Sequence, residues 1–348
     1  MKTAVVICPG RGTYNKAELG YLQRTFPDAA LLENFEQERR AMNQSSLAEL
    51  DGAARFSPKI HTRGDNASAL IFSTTLGDFL SIDQDAFEIV AVTGNSLGWY
   101  STLACGGAVS VPDGFRIANT MGTLMQNALI GGQLIYPFTD DNWRPDQARR
   151  ASLMAHVEEI GQRKGHILAL SIALGGMLVL AGNEAGLSAF EQSVDVVQER
   201  FPMRLPNHAA FHTDLMAPVA EEGRQTLPAE LFQQPNIPMI DGRGAIWWPK
   251  ACNLDALWDY TLRAQVTQTY DFTKAVQIAA REFSPDVFII TGPGTTLGGA
   301  TAQSLIQTQW RGLDDKANFQ AMQASPNPLL LSMGMPDQRT LVIGDERK

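Results

Sequence analysis

Chemistry is suggested first by a serine. Ser96 lies in "VTGNSLGWYS", a Gly-x-Ser-x-Gly pentapeptide that follows the apolar run Phe87 to Val92 and precedes a helix-like stretch. A serine hydroxyl is a weak nucleophile, and it needs a base within hydrogen-bond reach plus donors for the developing oxyanion. Glycines two residues before and two after it, Gly94 and Gly98, permit a tight strand-to-helix turn that exposes the oxygen. The amide of Leu97, at the start of the next helix, supplies one oxyanion donor in such a turn. Of the five histidines, His212 in "LPNHAAFHTDLMAPVA" is the best-placed base, because it follows the strand-like "MRLP" and precedes a helix. His208 is a reserve, and His61, His156 and His166 stand in polar settings that predict surface positions. Histidine and cysteine never cluster, so no metal site is expected. The "TGPGTTLGG" turn lacks the lysine and Ser/Thr of a phosphate-binding loop.

Elements that can position such residues are visible along the chain. Buried parallel strands are expected at Ala4 to Ile7, Phe87 to Val92 and Val287 to Ile290, each running into a glycine-rich turn, and a helix at Asn66 to Leu80. Strand, turn and helix in alternation predict an α/β domain whose loops at the carboxyl ends of the strands build one pocket. The segment 131–198 reads differently, as β-α-β-β-α with a strand after it, which fits a small inserted α+β subdomain. The expected organisation is therefore a large domain over 1–130 and 199–348, interrupted by a small one over 131–198. "GDERK" closes the sequence as a polar tail.

Composition narrows the function classes. The chain has 348 residues and a formal net charge of −9, without the basic footprint of a general nucleic-acid binder. Its three widely spaced cysteines suit a reducing cytoplasm better than a disulfide framework. The apolar stretch Ile167 to Ala181 is broken by Gly175 and Gly176 and is too short to span a bilayer. A soluble cytoplasmic monomer is expected.

Four ordered motifs resemble the malonyl-CoA:acyl carrier protein transacylase family, which includes the acyltransferase domains of fatty acid and polyketide synthases. "GNSLGWYSTLACGGAVS" is similar to the family's Gly-His-Ser-Leu-Gly-Glu-Tyr-Ser/Ala stretch, and "AAFHTDLMAPVA" to its histidine motif. "CPGRGTY" resembles the family's opening Pro-Gly-Gln-Gly-Ser, and "TGPGTTLGG" its late Gly-Pro-Gly segment. The resemblance implies a hydrolase-like α/β domain, mostly parallel in its sheet, with a ferredoxin-like insert. It also implies a ping-pong S-acyltransferase with no permanently bound cofactor. Acyl-CoA would acylate Ser96, and the phosphopantetheine thiol of an acyl carrier protein would take the acyl group, with His212 as general base and acid. By the same resemblance a backbone carbonyl near "YDFTKAV" orients the histidine, matched here to Asp271, whose carboxylate could instead touch His212 directly. The backbone amide of Arg11 is implied as the second oxyanion donor, beside that of Leu97.

The sequence departs from the family at four positions. Asn95 precedes the serine where histidine is usual, Trp99 replaces a glutamate and makes the rim of the turn more apolar, and Arg11 replaces a glutamine. Most consequentially, "RIANTMGTLMQ" carries Met121 where the family has the arginine that pairs with the free carboxylate of a malonyl group. A buried carboxylate without a cation costs several kcal/mol, and methionine cannot stand in for a guanidinium. Either the acyl group is uncharged at its far end, or another cation serves. Arg11 is the first candidate for that cation, with Arg63 and Arg243 behind it. Phe211, matched to a residue associated with small unbranched acyl groups, and Met121 together suggest a compact apolar pocket. An acyl-thioester hydrolase, in which water deacylates Ser96, and a non-catalytic acyl-CoA binder are the alternatives. Arg144, Arg149 and Arg150 are candidates for docking an acidic carrier protein, against the plainer reading of a solvated loop.

Overall fold

The N-terminal apolar run becomes β1 (Lys2–Cys8), whose residues from Ala4 onward are fully buried. A strand covered on both faces must be apolar at every position, which is why it shows no alternation. In the computed structural model, which describes residues 1–344, β1 is central to a six-stranded sheet. Its neighbours are β2 (Phe87–Gly94) on one side and, on the other, a strand at Val287–Ile290 that pairs in turn with one at Leu330–Ser332, all parallel. Beyond β2 come the short strands Met239–Ile240, parallel to it, and Ile246–Trp247, antiparallel at the edge.

A second sheet forms from β3 (Gly132–Pro137), β4 (Leu168–Leu174) and β5 (Met177–Gly182), joined antiparallel with β5 between the other two. It has its own apolar cluster around Leu134, Phe190 and Phe201. This sheet reaches outside 131–198: β6 (Met203–Arg204) extends it beside β3, and Tyr270–Asp271 lies parallel to β4. The second of these contacts ties the insert to the large domain next to the site. The fold is thus α/β, a hydrolase-like sheet with an inserted ferredoxin-like unit.

Three helices pack together beside the serine turn. α1 (Gly64–Leu80) is buried nearly all round, which accounts for its apolar and small residues on every face. α2 (Gly98–Cys105) follows β2 after the serine turn and is wholly buried. α3 (Val111–Ala128) is amphipathic, capped by Ser110 accepting from the amide of Asp113, and packs along α1. The close approach requires glycine, since a Cβ on Gly122 would sit 2.5 Å from Ser68 Oγ. Among the described residues no helix is long and apolar enough to cross a membrane. Of the expected polar tail, residues 345–348 lie outside the described residues.

Candidate active site

The turn between β2 and α2 holds Ser96 at φ 54°, in the left-handed region that a non-glycine residue adopts only when its surroundings impose it. Both glycines of the pentapeptide are there for space. A Cβ on Gly94 would run into the backbone of Gly98, and one on Gly98 would overlap the carbonyl of Cys8 at the end of β1. Gly98→Ala is therefore expected to destabilise the protein by about 3 kcal/mol, because backbone on both sides cannot yield; urea unfolding of the two proteins measures it.

Ser96 Oγ lies 2.7 Å from His212 Nε2. His212 also has a positive φ, 59°, and is buried. Its Nδ1 is 2.6 Å from the carbonyl oxygen of Gln265, and its amide donates to the carbonyl of Val266. A carbonyl can only accept, so Nδ1 carries the proton and Nε2 presents a lone pair to the serine hydroxyl. Burial lowers the pKa of His212 to about 4, opposed by the bond to Gln265. The ring is thus neutral, in the state that can accept a proton, across the ordinary pH range.

Gln265 ties the pair together. Its side-chain Nε2 donates to the carbonyl of Ser96, and its Oε1 accepts from Tyr100. It follows a turn of π-helix at Tyr260–Ala264, an irregularity that is common at functional sites. Asp271 does not meet His212, which corrects the assignment made by resemblance. Its carboxylate accepts from the amide of Lys274 and caps the helix Phe272–Phe283. The orienting group is a main-chain oxygen six residues earlier.

Neither the amide of Leu97 nor that of Arg11 meets an acceptor among the described residues. Both are free to donate to an oxygen bound beside Ser96. The cleft there is lined by Ser96, His212, Arg11, Phe211, Tyr100 and Met125, with about 20 Å³ of free space, room for roughly one water molecule. Two residues expected in it are elsewhere. Met121 is fully buried with its sulfur against Gly223 on the helix Ala217–Thr226, where the missing side chain makes the slot it fills. Asn95 packs against Gly10, and its Oδ1 is buried without a donor. Trp99 is not at the rim either: it is fully buried and donates to Thr261.

The remaining candidates are otherwise engaged. His61, expected at the surface, is buried because the backbone of Ser57 and Leu50 satisfies both ring nitrogens. His208 meets Gln133, 2.8 Å from Nδ1. Arg63 pairs with Asp65 and Arg243 with Asp241. Arg144 pairs with Asp315, while Arg149 and Arg150 lie over the rings of Tyr136 and Phe138. No group of three His, Cys, Asp or Glu side chains with metal-binding geometry occurs among the described residues.

No family model matches the chain. It is similar to the "Malonyl CoA-acyl carrier protein transacylase" of Salmonella typhimurium, 25% identical over 236 residues, which cover 66% of this chain and 71% of that one. The protein of the same name from Haemophilus influenzae is 24% identical over 93% of this chain and 99% of its own length. The chain is a divergent relative of the malonyl-CoA:acyl carrier protein transacylases. The fold agrees with theirs: the crystal structure of the Synechocystis malonyl-CoA:ACP transacylase superposes with a TM-score of 0.74 at 19% identity, covering 98% of this chain and 100% of that one. Against the transacylase motifs, what sequence reasoning missed is Gln265. Its contribution to His212 is a backbone oxygen, which leaves no mark on residue type.

Proposed function

We propose that this protein is a cytoplasmic S-acyltransferase that moves an acyl group from coenzyme A to the phosphopantetheine thiol of an acyl carrier protein. The observation that carries this reading is the hydrogen-bonded line Ser96 Oγ, His212 Nε2, His212 Nδ1 and Gln265 carbonyl.

His212 takes the proton of Ser96 as the oxygen attacks the thioester carbonyl. The tetrahedral oxyanion is held by the amides of Leu97 and Arg11. Collapse breaks the carbon–sulfur bond, and the imidazolium returns its proton to the leaving coenzyme A thiolate, leaving an ester on Ser96. The carrier thiol enters, gives its proton to His212 and attacks the ester; the proton then goes back to Ser96 as the serine departs. A neutral, buried histidine suits both half-reactions. The relatives' names supply the carrier protein as acceptor, and the three cysteines, all buried and unpaired, suit a reducing compartment.

The test follows the fate of the acyl group. Protein loaded from radiolabelled malonyl-CoA is chased with holo-acyl carrier protein or with buffer. Label passing to the carrier bears the proposal out. Release as free acid at the same rate with or without carrier means a thioester hydrolase instead.

A further inference from the structure

The family's cation position on α3 is filled by Met121, which is sealed against Gly223 and turned away from the cleft. A different cation lines the cleft itself, Arg11. It arrives on the loop after β1 and lines the same cleft as Ser96. Its guanidinium is fixed: Nη2 donates to the carbonyls of Thr62 (2.7 Å) and Asn207 (3.0 Å), and Cζ lies 5.3 Å from the centre of the Phe211 ring. No carboxylate is within ion-pair distance among the described residues, since the neighbouring Asp65 is taken by Arg63. Its Nε is buried and donates to nothing. A buried donor without an acceptor is costly and rare in a finished structure, and beside a nucleophile it marks where a ligand's acceptor belongs.

We infer that Arg11 sets acyl specificity, its guanidinium receiving the free carboxylate of a dicarboxylic half-thioester such as malonyl. This rests on the acyl-Ser96 reading given above. The selectivity has moved from a helix to the loop that also lends an oxyanion amide. Burial lowers the pKa of Arg11 to about 10, opposed by Asp65, which leaves it charged at neutral pH. Three fixed contacts keep it in place before substrate arrives, so little ordering is lost on binding.

The experiment compares initial rates of Ser96 acylation by malonyl-CoA and acetyl-CoA, followed by intact mass, in the native protein, Arg11→Gln and Arg11→Lys. The native protein is expected to favour malonyl-CoA at least tenfold. In Arg11→Gln the malonyl-to-acetyl ratio should fall roughly 30- to 100-fold, the worth of one charged hydrogen bond in a buried site. Arg11→Lys should recover part of it. A fall in both rates by the same factor would mean that Arg11 only props the loop, and the inference is wrong. It is equally wrong if the native protein loads acetyl as fast as malonyl. Loading by neither thioester removes the acyl-Ser96 reading, and this one with it.

Discussion

Ser96→Ala is expected to abolish the acyl adduct seen by intact mass after mixing with malonyl-CoA, and to lower carrier-protein acylation by at least ~10⁴-fold. The size follows from what the site lacks without the hydroxyl. His212 is buried, and its Nε2 lies 2.7 Å from Ser96 Oγ and meets no other donor or acceptor among the described residues. Free space for roughly one water molecule could only partly replace a covalent route. Stability should change by no more than about 1 kcal/mol, the net worth of one hydrogen bond, because alanine accepts the same backbone strain at φ 54° that serine does. An adduct persisting at full rate in Ser96→Ala would place the nucleophile elsewhere.

The second large effect concerns His212. His212→Ala should slow acylation by about 10³- to 10⁴-fold and remove its acid limb. In the native protein, single-turnover acylation should rise with pH through about 4, the depressed pKa of the buried ring, and be flat by pH 6. An unperturbed histidine would put that midpoint near 6.5. The same shift bears on stability. The unfolded chain binds a proton at His212 more readily than the folded one between about pH 6.5 and 4, so the neutral ring's contribution is complete above 6.5 and is lost as the pH falls through that window. The loss is on the order of 3 kcal/mol, and in His212→Ala the unfolding free energy should be flatter over the same range. A midpoint near 6.5 in the rate profile would mean that the ring is wet when it reacts.

Much of this is legible in the sequence. The strands at β1 and β2 announce themselves because burial on both faces demands unbroken apolar runs, and the serine turn does so because its glycines leave room for close backbone contacts, Gly94 with Gly98 and Gly98 with Cys8. What was not legible was direction. Resemblance aligned Met121 with a pocket residue, but which way its side chain turns depends on Gly223, more than a hundred residues on. His61 reads as a surface residue because its neighbours are polar, yet the partners that allow its burial are main-chain atoms of Ser57 and Leu50. Asp271 attracted the orienting role because it is a carboxylate near a matching segment, whereas the carboxylate in fact ends a helix.

The carbonyl of Gln265 has a consequence for how the protein tolerates change. An aspartate in its place could be protonated by acid or lost by a single base change; a peptide oxygen has no titration and is present whatever residue occupies the position. Substitution at 265 can cut the side-chain tie to Ser96, but only displacement of the main chain can unseat the imidazole. The contact that orients the base is thereby secured against both acidification and drift in sequence, and that security comes from the chain's path, not from any side chain.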